Sequence, residues 1–250
     1  MPAQQLSGTS ALVTGASRGF GRAVATALAQ AGAHVTGVAR DHGRLAELAT
    51  QLGDSFTPVV ADAADPVTAG ELIDRYQPRL LVLVAGAAPL SRPLHQHTWE
   101  SFSRNWDVDV RQSFYWTREA LLRPLAAGST VVEFSSGAAL AGSPLSGGYA
   151  GAKATVRFVT AYAAAESERN ELGIRFISVL PQLTSETDLG AAAVAAYAAR
   201  EGQTVAEFQA ARGPALTPDQ AGKAVLELAG STDYSAGAYL LTAAGLKELK

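Results

Sequence analysis

The strongest constraint on this chain is a regular alternation of short apolar runs with longer stretches of helical periodicity. Ala11-Leu12-Val13 precedes a helical pattern over Gly21–Ala31, Val35–Ala39 precedes Gly43–Leu52, and Pro58–Ala61 precedes Pro66–Tyr76. The rhythm continues through Leu80–Ala85, a helix near Trp99–Leu122, Thr130–Ser135, a helix over Tyr149–Glu171, and Phe176–Leu180. A strand followed by a crossover helix re-enters its sheet in parallel, and the helices then cover both sheet faces. Runs such as Leu80-Leu81-Val82-Leu83-Val84 lack polar alternation, as strands buried on both faces do. The pattern predicts an α/β fold built on a doubly wound parallel sheet.

Nothing in the composition divides the 250 residues, so a single domain over 1–250 is expected. An apolar share of 48% with 17% charged residues suits a packed globular core. The Ala-rich segment at about 183–212, with Leu189, Tyr197 and Phe208, reads either as a mobile helical lid with an apolar lining or as an amphipathic helix packed on the core. Another helix is expected over Asp219–Ala229 and a terminal strand at Gly237–Leu241. A net charge of -3 gives no basic stripe for phosphate backbones, which argues against a nucleic-acid partner. Met1–Gln5 begins no signal-peptide pattern and Leu80–Leu90 is too short to span a bilayer, so a cytoplasmic protein without a membrane partner is expected. With no cysteine there is neither a disulfide nor a thiolate metal site, and His95 and His97 have no further ligand at a recognised metal spacing.

Directly after the first strand stands Thr14-Gly15-Ala16-Ser17-Arg18-Gly19-Phe20-Gly21. Glycines here permit a tight turn, close backbone approach to a pyrophosphate and close helix packing, with a helix N-terminus facing the anion. The second strand ends on Arg40, where an NAD-specific site usually places an acid, although Asp41 follows. Arg40 and Arg18 read either as donors to a 2′-phosphate, which favours NADP over NAD, or as solvated surface arginines. Asp62 stands either as an acceptor for an adenine amino group or as a helix cap ahead of Pro66.

Tyr149 and Lys153 lie four residues apart at the start of a helix and so share a face. A phenol is a weak acid/base near neutrality, but a nearby ammonium stabilises its anion and lowers its pKa. Lys153 can also hold ribose hydroxyls. Ser136 follows the fifth strand at the carboxyl edge of the sheet, where it either orients a substrate oxygen or serves as a turn residue.

These motifs resemble the short-chain dehydrogenase/reductase family: Thr14-Gly15-x-x-x-Gly19-x-Gly21, then Ser136, then Tyr149-x-x-x-Lys153, over almost the whole chain. The resemblance implies a Rossmann-like fold, Tyr149 as acid/base, Lys153 as its activator and ribose anchor, and Ser136 as carbonyl orienter. The cofactor contacts expected with it are Gly15, Ser17, Arg18, Gly19, Phe20, Gly21, Arg40, Asp62, Ala63, Ala85, Gly86, Tyr149, Lys153 and Thr184. A homodimer or homotetramer is implied too, and the Tyr149 helix offers Val156, Phe158, Val159 and Tyr162 for burial against a partner.

Three departures from the family pattern stand out. Val84-Ala85-Gly86 lacks the usual asparagines after the fourth strand, so apolar packing is expected to brace this loop. Asp109 replaces the family's catalytic asparagine; it either preserves the proton relay or forms an ion pair with Lys153, raising the pKa of both Lys153 and Tyr149. Pro181-Gln182 replaces Pro-Gly, which directs Gln182 toward the substrate pocket. Two functions are weighed: an NADP(H)-dependent carbonyl/alcohol oxidoreductase with a small-molecule substrate, and a non-redox cofactor-binding regulatory or scaffold protein.

Overall fold

The computed structural model describes residues 6–231, 234–235 and 237–249, so the N-terminal reading over Met1–Gln5 lies outside the described residues. Strands β1 (Ser10–Thr14), β2 (His34–Ala39), β3 (Phe56–Val60), β4 (Leu80–Leu83), β5 (Thr130–Phe134), β6 (Arg175–Pro181), β7 (Ala238–Thr242) and β8 (Gly245–Glu248) form one sheet. Their order is β3-β2-β1-β4-β5-β6-β7-β8. Neighbours are parallel up to β7, and β8 returns antiparallel with Leu241 opposite Leu246. The sequence reading omits β8 because Gly-Leu-Lys-Glu is short and mostly polar, and Gly245, with φ 111°, makes its turn possible.

Ten α-helices are present among the described residues: α1 (Gly19–Gln30), α2 (His42–Leu52), α3 (Pro66–Tyr76), α4 (Trp99–Asn105), α5 (Arg111–Leu122), α6 (Ala138–Ala141), α7 (Gly147–Arg169), α8 (Asp188–Arg200), α9 (Val205–Ala210) and α10 (Pro218–Gly230). Asp65 caps α3 by accepting from Val67 N at 2.9 Å, while Pro66 occupies a position that needs no donor. The capping alternative for Asp62 is thereby corrected.

The period of two along each strand divides the core. Ala11 and Val13 of β1, Leu80 and Val82 of β4, and Val132 and Phe134 of β5 join α1, α2 and α10 on one face. Leu12, Leu81, Leu83 and Val131 join α3, α5 and α7 on the other. Full burial of each such Leu or Val contributes about 1.5–3 kcal/mol. The edge strand β3 instead alternates between buried and open positions. Trp116 of α5, fully buried, donates from Nε1 to the Ala63 carbonyl at 2.8 Å, so its polar edge is satisfied.

Strand order reverses between β1 and β4, which opens a crevice at their carboxyl ends, the usual ligand site of such sheets. Two expected helices are subdivided. The stretch near Trp99–Leu122 contains a π-helical turn at Trp106–Val110 between α4 and α5, which holds Asp109 buried. The 183–212 segment comprises α8 and α9, parted by Gly202 at φ 69° and a new cap at Thr204. There Val194, Ala198 and Phe208 form a separate apolar cluster, with Tyr197 stacked on Phe208 at 6.3 Å. The segment therefore packs on itself rather than into either main core. Among the described residues, no helix is long and apolar enough to cross a membrane.

Candidate active site

A cleft of about 1180 Å³ runs along the switch point, from Arg40 and Asp62 at one end to Ser136, Tyr149 and Tyr197 at the other. At its floor, Gly15 (φ 70°) and Gly19 (φ 53°) take left-handed backbone that a side chain would strain. A Cβ on Gly21 would lie 2.2 Å from the Gly15 carbonyl oxygen, and one on Gly15 would lie 2.8 Å from Ala85 N. No side chain caps the start of α1, which leaves its first N–H groups to an anion. A cradle too narrow for Cβ atoms, beside an uncapped helix start, fits a dinucleotide pyrophosphate. Ser17, Arg18, Gly19, Phe20 and Gly21 line this part of the cleft, with Ala63, Ala85 and Gly86 nearby.

Three arginines ring the far end, and each already faces a carboxylate. Arg40 Nη1 lies 4.0 Å from Asp62 Oδ2, Arg44 Nε lies 3.5 Å from Asp41 Oδ2, and Arg18 Nη1 lies 3.7 Å from Asp188 Oδ2. Asp62 also accepts from Ala64 N at 2.9 Å, which shapes the turn after β3. Thr184 is buried, donates to Leu216 O at 2.6 Å and accepts from Glu186 N, so its hydroxyl is committed to the fold although the residue lines the cleft.

At the other end, Tyr149 in the first turn of α7 and Ser136 after β5 line the same part of the cleft. Lys153 Nζ lies 5.8 Å from the Tyr149 ring centre. Burial pushes the Tyr149 phenol above its ordinary pKa, Lys153 and Ser136 pull it down, and Asp109 pushes it further up. Lys153 donates to Phe134 O at 2.9 Å and pairs with Asp109 Oδ1 at 2.9 Å, both side chains being buried. Burial lowers the Lys153 pKa, but Asp109 and Tyr149 outweigh it and hold the ammonium above its ordinary value. The ion-pair alternative for Asp109 is therefore the arrangement observed.

The loop Val84–Ala87 departs from the sequence reading. Polar side chains brace it, where apolar packing was expected. Asp109 Oδ2 accepts from Ala87 N at 2.9 Å, and Asn105 Nδ2 donates to Ala87 O at 2.7 Å. Gln112 Nε2 donates to Ala85 O at 2.9 Å, and Thr14 Oγ1 accepts from Val84 N at 3.0 Å while donating to Gln112 Oε1 at 2.7 Å. Buried carbonyls and amides need such partners, and apolar groups cannot supply them. Asn105, Asp109 and Gln112 stand four and then three residues apart, a one-face helical spacing by which the sequence could have revealed them. Gln182 lines the cleft, and its amide donates to Pro214 O at 3.1 Å.

Other residues were missed for want of a local signal. Tyr197 of α8 hydrogen-bonds with Ser143, ahead of α7, and so joins the 183–212 segment to the loop beside Tyr149. Glu133 of β5 is fully buried and accepts from Ser113 and Thr117 of α5; burial raises its carboxyl to about 7. Among the described residues, no group of three or more His, Asp or Glu is placed to hold a metal ion.

The family model described as short chain dehydrogenase matches residues 9–198. A short chain dehydrogenase of Pseudocercospora fijiensis is 34% identical over 199 residues, covering 75% of this chain and 63% of that protein. D-erythrulose reductase of Gallus gallus is 36% identical over 104 residues, covering 42% of each chain. The matched part thus spans less than two thirds of these relatives' length. Among solved structures, a 3-ketoacyl-(acyl-carrier-protein) reductase from Brucella melitensis complexed with NADH superposes with a TM-score of 0.77 at 25% identity, covering 93% of this chain and 96% of that one.

Proposed function

This chain belongs to the short chain dehydrogenase family, and from that premise we propose that it is an NADP(H)-dependent oxidoreductase interconverting a carbonyl and an alcohol. The observation that carries the proposal is the meeting of Tyr149, Ser136 and Lys153 at one end of a cleft whose other end is rimmed by arginines. In this reading the glycine loop and the start of α1 hold the pyrophosphate, and Arg18, Arg40 and Arg44 face the 2′-phosphate. Asp62, Ala63, Ala85, Gly86, Lys153 and Thr184 complete the walls along the dinucleotide. When bound, the nicotinamide supplies or accepts hydride.

The protein's own part is to bind, orient and move a proton. Ser136 hydrogen-bonds the substrate oxygen and Tyr149 Oη delivers a proton to it as negative charge develops. In the reverse direction Tyr149 must first be a phenolate, which the Lys153 ammonium favours and the Asp109 carboxylate opposes. Lys153 Nζ donates to Phe134 O and is ion-paired with Asp109, and its remaining donor capacity would serve a ribose hydroxyl or a water in a proton relay. Residues 1–250 act as one domain of the cytoplasm, with 183–212 as its lid, and the protein assembles as a dimer or tetramer through α5 and α7. Exposed Phe158 and Tyr162 on α7 and Phe114 on α5 support the assembly.

The test is transfer of deuteride from labelled NADPH to a ketone and aldehyde panel. Stereospecific transfer is expected, and Tyr149→Phe should lower kcat by about 10²- to 10⁴-fold. Tight NADPH binding without transfer to any member would favour the non-redox reading, to which the charge-cancelling Lys153–Asp109 pair gives specific support. Arg40→Asp should weaken NADPH binding far more than NADH binding, and equal losses would remove Arg40 from the phosphate site.

A further inference from the structure

Building on the NADP(H) reading, we infer that Asp188 determines cofactor specificity by competing with the 2′-phosphate for Arg18 and Arg44. Of the carboxylates at the arginine rim, Asp41 and Asp62 are local, in the turns that follow β2 and β3. Asp188 comes from the opposite wall, as the first residue of α8. Its Oδ2 alone bridges two guanidinium groups, 3.7 Å from Arg18 Nη1 and 4.0 Å from Arg44 Nη1. That is the arrangement a phosphate oxygen would take between the same donors.

A second observation places the start of α8 over the phosphate loop. The γ-methyl of Thr187, the residue that caps α8, lies 3.6 Å from where a Cβ on Gly19 would stand. The start of α8 thus lies beside the glycine loop at the mouth of the cleft, with Asp188 supplying the charge between them. Asp188 and both arginines are exposed, so each ion pair is weak and a phosphate with three oxygens can displace it. NADH carries no anion at this position and leaves the bridge intact. NADPH must break it, so Asp188 lowers NADPH affinity relative to NADH and ties the seating of α8 to which cofactor is bound.

The test measures binding alone, by calorimetric titration of 2′,5′-ADP, 5′-ADP, NADPH and NADH into wild type and Asp188→Asn. The variant keeps the Thr187 cap, and its side chain is exposed, so folding is expected to be retained. Removing two exposed ion pairs should tighten 2′,5′-ADP and NADPH by about three- to tenfold and leave 5′-ADP and NADH within about twofold. Equal tightening of all four ligands would reduce Asp188 to a general electrostatic effect and overturn the inference. A wild-type preference for 2′,5′-ADP that Asp188→Asn leaves unchanged overturns the Asp188 inference alone. If wild type and variant both bind 2′,5′-ADP and 5′-ADP alike, it is the NADP(H) reading that fails.

Discussion

Lys153 and Asp109 set the chemistry at the residue scale, because a buried ammonium is stable only with partners and each partner changes the field at Tyr149. Asp109 adds negative charge where an asparagine would add none, and its influence on the phenol is upward. In the proposed reaction, alcohol oxidation requires the phenolate and so rises as pH passes the Tyr149 pKa. Asp109→Asn should therefore move that rise to lower pH, and carboxyl-to-amide replacement still leaves an oxygen to accept from Ala87 N. A pH profile of kcat/KM for oxidation checks this, and an unchanged midpoint would uncouple Asp109 from the tyrosine. The spacing of Tyr149, Lys153 and Asp109 was legible from the sequence. The one-face spacing of Asn105, Asp109 and Gln112 was legible too, but that they meet Val84–Ala87 together with Thr14 of β1 was decided by the fold.

Among the elements, α7 positions Tyr149 and Lys153 by packing closely on α4 and on β5. A Cβ on Gly148 would lie 2.1 Å from the Phe102 carbonyl oxygen, a backbone atom that cannot yield without moving α4. Gly148→Ala should lower the melting temperature by roughly 2–12 °C, from overpacking of about 1–3 kcal/mol, and reduce activity through displacement of Tyr149. Thermal unfolding followed by circular dichroism measures the first effect. Glu133 joins β5 to α5, and its carboxyl, raised to about 7 by burial, holds a proton more tightly folded than unfolded. Its contribution is greatest below the ordinary carboxylate pKa and is lost as pH rises to about 7. Urea unfolding at pH 5 and pH 8 should show wild type losing about 2–3 kcal/mol more than Glu133→Gln over that interval. Equal losses would mean that Glu133 is ionised throughout.

For the whole molecule, Phe158 and Tyr162, stacked at 6.2 Å on α7, and Phe114 on α5 are large apolar side chains exposed among the described residues. If these side chains carry the proposed assembly, the double substitution Phe158→Glu with Tyr162→Lys should lower the mass seen by light scattering to that of one 25.8 kDa chain; an unchanged oligomer mass would place the interface elsewhere, and a monomeric wild type would refute the assembly. The alternation of strands and helices through β7, the sheet class and the glycine loop were determined by the sequence alone, because periodicity and glycine placement are local properties that each segment carries with it. The π-helical turn that buries Asp109, the burial of Glu133 and the division of the 183–212 segment into two self-packed helices were decided only in three dimensions. So was the bridge from Asp188 to Arg18 and Arg44. Each depends on which distant groups meet, and on whether water is excluded where they do, which no local pattern records.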